Sequence, residues 1–321
     1  QEVRRSYSIC AEPRPGEIRV AIKRDIGGLF SNWANENLKA GDVLDVMSPT
    51  GAFISKHQMT EINHPEAIDT DAEDVFVAFA AGSGITPVIS IARTVLAAND
   101  NVRFDLVYAN KAAMDVMFVE ELADLKDKYP ARFGLHHVLS REQRISPLLS
   151  GRIDAEKLTC LFDDVLRTDD VDEWFLCGPF ELVQLCRDTL AERGVPAEKI
   201  RFELFTTGEP NKPQGNIGRP VEVDPTADNY EINFQLDGLS AQVASPKHAR
   251  ETVLNAALRV RPDVPFACAG GVCGTCRAKV VSGTFEMEEN YALEPEEIER
   301  GYVLTCQTRP TGDEITVNYD A

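Results

Sequence analysis

Three patterns along the 321 residues predict a multidomain fold: a truncated antiparallel β-barrel, an α/β doubly wound parallel sheet and a small α+β module. Short alternating segments broken by glycine turns predict the first, within residues 1–68. Apolar runs alternating with helical patterns predict the second, within residues 69–207. A strand pair, a helix and a cysteine-rich loop predict the third, within residues 229–321. Residues 208–228 carry four Pro and three Gly with little periodicity and read as a linker.

Composition narrows the functional classes. A chain that is 43% hydrophobic supports two or three buried cores. No apolar run approaches the roughly 18 residues of a membrane span, and Gln1 to Arg5 has no signal-peptide core, so a cytoplasmic location is expected. A net charge of −19 excludes nucleic acid and an anionic membrane as partners, because phosphates would repel it. A partner with a basic face suits it better, and the acidic run from Glu286 to Glu299 is a candidate docking surface or an ordinary solvated face.

In chain order, Arg5–Cys10 alternates as a strand does, Glu12–Gly16 turns, and Ile18–Lys23 is a second strand. Gly27, Gly28 and Ser31 form a glycine turn at the start of a helix from about Asn32 to Asn37, and such a turn offers N–H groups to a phosphate. Gly41–Val46 is a third strand. Val75–Ala80 reads as a buried parallel strand. It runs into Gly82-Ser83-Gly84-Ile85-Thr86-Pro87, with Thr86 expected as the helix N-cap and Pro87 at the first helical position. Strand, glycine turn and helix start is the dinucleotide-binding arrangement, although Pro87 replaces the last glycine of the strict fingerprint. Strands at Arg103–Tyr108, Gly134–Leu139 and Glu173–Leu176 alternate with helices at Asp115–Tyr129 and Phe180–Arg193. Tyr230–Leu236 and Ala241–Ala244 pair as a hairpin, and Thr252–Leu258 is a helix that leads to the cysteines.

Cys268, Cys273 and Cys276 are spaced C-x4-C-x2-C, and Cys306 follows alone. That is the plant-type [2Fe–2S] ligand pattern, in which four thiolates hold two irons. Structural zinc favours paired C-x2-C or Cys/His sets, which the solitary Cys306 does not supply. The glycines between the ligands let the loop wrap closely and turn N–H groups toward sulfur.

Three motif sets in one order carry a resemblance. Arg5-x-Tyr7-Ser8 with Gly28-x-x-Ser31 resembles the flavin-binding part of the ferredoxin-NADP reductase superfamily. Gly82 to Pro87 with Cys177-Gly178-Pro179 resembles its nucleotide half, and the C-terminal module resembles plant-type (β-grasp) ferredoxin. The order is that of the reductase components of bacterial multicomponent oxygenases. Leu122–Pro130, Gly151–Asp154 and Met287–Pro295 most resemble the reductase subunits of phenylacetyl-CoA epoxidases. In that family roughly forty residues of barrel precede the Arg-x-Tyr-Ser motif. Four do so here, so the barrel is expected to be incomplete at its N-terminus.

The resemblance implies that Arg5 meets the FAD pyrophosphate and that Tyr7 and Ser8 lie against the isoalloxazine. Lys23, Gly27, Gly28 and Ser31 would hold the remaining phosphate and ribitol, and Phe205 would cover the other flavin face. A guanidinium fork, an aromatic ring and a hydroxyl suit those tasks, although Tyr7 equally suits a barrel core and Arg5 a solvated surface. Cys177, ending an apolar strand, would border the nicotinamide, with Gly178 and Pro179 beside it; a buried structural thiol is the alternative. The second strand ends Tyr108-Ala109-Asn110-Lys111 with no acid to read a ribose 2′-OH. Ser140 and Arg141 after the third strand resemble a 2′-phosphate contact, so NADPH is expected over NADH; a surface Arg neutralised by Glu142 is the alternative. The implied activity passes a hydride from NADPH to FAD and single electrons through [2Fe–2S] to a diiron oxygenase component. An NADH-dependent reductase of a ring-hydroxylating or steroid oxygenase, and a non-enzymatic iron–sulfur sensor, are the other readings.

Overall fold

The computed structural model describes residues 5–12, 14–25, 27–49, 51–63, 72–166, 168, 170–205, 221, 223–224 and 226–321. Most of the expected linker, residues 208–220 with 222 and 225, lies outside them. Among the described residues no helix is long and apolar enough to cross a membrane. The chain forms two compact units. One joins Tyr7–Glu36 to Phe53–Phe205; the other comprises Gln1–Ser6, Asn37–Ala52 and Thr206–Ala321.

The first unit contains α1 (Leu29–Asn37), which runs to its boundary, then α2 (Lys56–Asn63), β1 (Val75–Ala81), α3 (Ile85–Ala98), β2 (Arg103–Asn110), α4 (Val119–Lys128), β3 (Phe133–Leu139), α5 (Ala155–Cys160), β4 (Glu173–Gly178), α6 (Phe180–Glu192) and β5 (Ile200–Leu204). Its five strands are all parallel, in the order β3-β2-β1-β4-β5. The order reverses between β1 and β4, which is where such sheets bind ligands beyond their carboxyl ends.

Strand parity divides the core. Phe76, Ala78 and Ala80 of β1 pack with Phe104, Leu106 and Tyr108 of β2 and with Ile85, Val88 and Ile89 of α3. The opposite face packs Phe79 edge-on against Phe162 and Phe162 edge-on against Trp174, with ring centroids 5.6 and 5.4 Å apart. Burying each such large side chain contributes about 1.5–3 kcal/mol. Burial on both faces explains the continuous apolar run of β1.

Two expectations need correcting here. Among the described residues, a single bridge, Ile9 with Val20, joins the first two segments read as barrel strands, another, Arg14 with Glu17, closes the turn between them, and none of the three segments is a continuous strand. Alternation gives a segment strand propensity, but a strand needs a ladder partner, and Val43 and Val46 of Gly41–Val46 are 90% and 79% exposed. The α3 N-cap is Gly84, with Thr86 already inside the helix, because a 3-10 turn over Gly82–Gly84 starts the winding early. The Thr86 hydroxyl accordingly donates to the Ser83 carbonyl instead of capping an N–H.

The second unit holds β6 (Asn229–Leu236), β7 (Leu239–Pro246), α7 (Val253–Leu258), β8 (Arg277–Met287), α8 (Pro295–Glu299), β9 (Tyr302–Leu304) and β10 (Thr308–Asn318). Its sheet order is β7-β6-β10-β8-β9, with β10 parallel to β6 and the other pairs antiparallel. Asp237-Gly238 turns β6 into β7 with φ of 54° and 73°, the positive pair that a two-residue hairpin turn prefers. Every residue of α7 is buried, and the Thr252 side chain caps it by accepting from the Asn255 N–H at 3.3 Å.

Candidate redox and nucleotide sites

In the second unit, pairing of Arg277 with Leu304 across β8 and β9 holds two cysteine-bearing segments side by side. Cys276 immediately precedes β8, and Cys306 lies between β9 and β10. Thr305 fastens them: its N–H and its hydroxyl both donate to the Cys276 carbonyl, at 3.2 and 2.9 Å. The hydroxyl of the half-buried Tyr319 donates to Thr305 Oγ1 at 3.1 Å.

The loop from Cys268 to Cys276 coils through positive φ at Ala269, Gly271 and Gly274. A Cβ on Gly271 would lie 3.1 Å from the Glu289 carbonyl, so the loop is held against its neighbours. The coil turns the N–H groups of Gly270 and Val272 toward Cys268 Sγ, at 3.3 and 3.4 Å. Hydrogen bonds from the Cys273 and Cys306 thiols, helped by those N–H groups, hold Cys268 far below the usual thiol range, while Cys306 as a donor is pushed up. Among the described residues no three His, Cys, Asp or Glu side chains converge closely enough for a single ion. A two-iron cluster asks for a pair of thiolates on each iron. The donor set, the coiled backbone and the N–H groups aimed at sulfur fit that cluster.

In the first unit, the two nucleotide motifs meet. Gly84 packs so tightly on the end of β4 that an added Cβ would sit 2.2 Å from the Cys177 carbonyl oxygen, and one on Gly178 would sit 3.0 Å from Ala81 Cβ. Cys177 is fully buried and pairs in register with Glu203 of β5. Burial, then the Glu203 charge, pushes its thiol well above the usual range, so the sulfur stays neutral and soft. Ser8 Oγ donates to Glu203 Oε2 at 2.9 Å. Burial raises the Glu203 carboxyl, and the Ser8 bond opposes the rise. The half-buried Phe205 packs on the core that contains Cys177.

Ser8 and Cys177 thus come together, and Glu203, which sequence alone did not single out, joins them. The signal available was a carboxylate between apolar residues in Phe202-Glu203-Leu204. The Tyr7 ring lies 5.8 Å from Phe30 of α1. Ser31 Oγ accepts from the Asp25 N–H at 3.2 Å, closing the turn that contains Gly28. Lys23 reaches the other glycine turn, with Nζ 3.5 Å from the Asp115 carbonyl and 3.9 Å from where a Gly82 Cβ would be. Arg5 is exposed and falls in the other unit.

Ser140 and Arg141 sit at the carboxyl edge of β3. Their N–H groups donate to the Asn110 and Lys111 carbonyls at 2.9 and 2.7 Å. The Glu142 carboxylate accepts from the Ala113 N–H at 2.7 Å, so it serves the backbone rather than Arg141. Tyr108, pushed up to about 12 by burial, donates to the Gly82 carbonyl at 2.9 Å and ties this edge to the glycine turn.

Comparison with known proteins agrees with both units. Residues 236–311 match the model of the 2Fe-2S iron-sulfur cluster binding domain, and residues 79–188 that of the oxidoreductase NAD-binding domain. A component of the 1,2-phenylacetyl-CoA epoxidase of Escherichia coli (strain K12) is 40% identical over 321 residues, covering 100% of this chain and 85% of that protein. The ferredoxin reductase component of 3-ketosteroid-9-alpha-monooxygenase from Rhodococcus rhodochrous is 34% identical, covering 99% and 83%. The solved structure of phthalate dioxygenase reductase matches with a TM-score of 0.55 at 22% identity, over 98% of this chain and 84% of that one, and shares the fold. Paired domains, thiol loop and full-length identity lead to one assignment: the chain belongs to the oxidoreductase family of oxygenase reductase components that join a ferredoxin-NADP-reductase-type nucleotide domain to a [2Fe–2S] domain.

Proposed function

We propose that the chain passes electrons from NADPH through FAD and [2Fe–2S] to the diiron oxygenase component of a phenylacetyl-CoA epoxidase. The observation that carries this reading is the 40% identity over the whole chain. The flavin would lie with Arg5, Tyr7, Ser8, Lys23, Gly27, Gly28, Ser31 and Phe205, within residues 1–68 and at the end of 69–207. The nucleotide would lie with Gly82, Gly84, Thr86, Pro87, Ser140, Arg141, Cys177, Gly178 and Pro179. Cys268, Cys273, Cys276 and Cys306 would hold the cluster, in a domain at 229–321 beyond a linker at 208–228.

When bound, a flavin accepts a hydride and releases electrons singly to an iron–sulfur centre. The protein's part is orientation. Small, neutral Cys177 leaves room for a ring, and Glu203 and Ser8 form a hydrogen-bonded pair beside it that can hold a proton. The test is electron delivery to purified diiron oxygenases, scored by epoxide formed. Product with a steroid hydroxylase instead would favour the second reading, which the 34% identical steroid relative supports.

Two substitutions probe the nucleotide site. Cys177→Ala should slow flavin reduction by the nucleotide in stopped flow and leave flavin-to-cluster transfer nearly as it was; unchanged hydride kinetics would make Cys177 a packing residue only. Losing one charged phosphate contact costs on the order of 1.5–3 kcal/mol, so Arg141→Ala should raise the KM for NADPH roughly ten- to a hundredfold and leave NADH nearly untouched. Equal losses for both nucleotides, or a parent protein that prefers NADH, would refute NADPH specificity.

A further inference from the structure

Gln307 stands between Cys306 and β10, and its main chain is pinned on both sides: its N–H donates to the Leu304 carbonyl at 2.8 Å, and its carbonyl accepts from the Glu288 N–H at 3.1 Å. Its stem crosses the cysteine loop so closely that a Cβ on Gly271 would lie 3.1 Å from Gln307 Cγ. The amide ends between the two cysteine-bearing segments, with Nε2 3.3 Å from the Ala269 carbonyl oxygen and 3.7 Å from Cys306 Sγ. A carbonyl oxygen only accepts, so the NH2 end of the amide must face it, and that end has a second N–H left for the sulfur. The large radius of sulfur puts this longer separation within hydrogen-bond reach.

The carbonyl that the amide holds belongs to a strained residue. Ala269 has φ of 54°, the left-handed region that a residue with a Cβ enters at a cost of about 1–3 kcal/mol and keeps only where its surroundings fix it. The next residue, Gly270, sends its N–H to Cys268 Sγ, so fixing Ala269 also aims that donor. The sulfurs are served differently. Cys268 takes two N–H groups from the loop backbone, and Cys273 Sγ lies 3.2 Å from the hydroxyl of its loop neighbour Thr275. Cys306, outside the loop, receives its amide N–H from a side chain.

We propose that Gln307 is a positioning residue of the iron–sulfur site with two tasks, an inference that rests on the [2Fe–2S] reading above: one N–H clasps the left-handed turn at Ala269, and the other donates to the Cys306 sulfur and sets how readily the site takes an electron. Thiolate sulfur carries more negative charge after an electron has arrived. An N–H aimed at it therefore favours the reduced state and raises the potential. Because the donor is a side chain, this contribution can be removed by substitution, which the backbone donors on Cys268 do not allow.

Spectroelectrochemical titration of the holoprotein, with iron and sulfide analysis, tests both tasks. Gln307→Met keeps the length of the side chain and loses both N–H groups. Its reduction equilibrium should shift about three- to tenfold toward the oxidised form, tenfold being about 59 mV for one electron, and it should release iron to a chelator about three- to tenfold faster than the parent. Gln307→Lys keeps a donor and adds positive charge, so its potential should lie at or above the parent value. Ala269→Gly supplies a residue that accepts positive φ unaided; combined with Gln307→Met it should restore parent-like iron retention while the potential stays low. A parent-like potential in Gln307→Met at full iron and sulfide content, or a fall in both Gln307 variants, overturns the electronic task. Parent-like iron release by Gln307→Met overturns the clasp. Loss of iron from both Gln307→Met and the double variant overturns the division into two tasks and makes Gln307 a packing residue. A parent protein without iron and sulfide after reconstitution fails the [2Fe–2S] reading itself.

Discussion

The Cys306→Ala protein is expected to purify without visible iron–sulfur absorbance and to deliver no measurable electrons to an oxygenase, while NADPH reduces its flavin at the parent rate. Cys306 is the one proposed ligand outside the coiled loop, held between β9 and β10 and fastened through Thr305 to Cys276. No spare thiol can take its place: Cys10, Cys177 and Cys186 are buried in the other unit, and Cys160 belongs there too. The remaining three thiolates leave one iron with a single protein ligand, and a plant-type cluster needs two on each. Iron and sulfide analysis, with the spectrum of the dithionite-reduced protein, reads the outcome. A full complement of iron and sulfide in this variant would contradict the ligand assignment. Because the nucleotide unit has its own core, its thermal transition should stay where it is in the parent.

Gly84→Ala should have the second largest effect, on nucleotide binding and on the stability of the parallel-sheet unit. The backbone at Gly84 is ordinary, with φ of −61° and ψ of −7°, so alanine meets no conformational penalty there. The penalty is contact: the new methyl would lie 2.2 Å from the Cys177 carbonyl oxygen, 2.6 Å from its carbon and 3.0 Å from the Gly178 nitrogen. All three are backbone atoms of a strand paired on both sides, so the glycine turn must give way. Overpacking of this kind costs about 1–3 kcal/mol, and displacement of the turn should raise the KM for NADPH more than tenfold. A variant with parent-like melting and parent-like KM would show that the turn absorbs the methyl and that the close approach has no functional role.

The two sites were legible in the sequence to different depths, for physical reasons. Coordination is written locally, so the spacing of Cys268, Cys273 and Cys276 points to a cluster loop without a fold, in a stretch that matches a 2Fe-2S domain. The turn from Gly82 to Pro87 was readable because a buried strand entering a glycine turn leaves a short-range mark. Glu203 was not readable, because its meaning lies in a bond to Ser8 195 residues away and in its register opposite Cys177. β8 escaped notice because most of its residues are exposed and give no apolar alternation. β10 escaped because Pro310 interrupts it and its ladder with β8 shifts register between Pro310 and Ile315. In the barrel segments the alternation is real, but among the described residues the pairing goes no further than isolated bridges.

The central pairing of the second unit, Ile315 of β10 beside Ile232 of β6 in parallel, joins segments some eighty residues apart. That makes the unit a high-contact-order fold, in which loop-closure entropy must be met before long-range contacts repay it. Cys276 directly precedes β8 and Cys306 lies between β9 and β10, so the β8–β9 pairing brings the two together and the long-range sheet frames that pair. A zinc finger lets its ion organise a short peptide. Here the polypeptide places the thiols, and a chain in which β8 and β9 have not paired holds three cysteines in one loop with the fourth still at large.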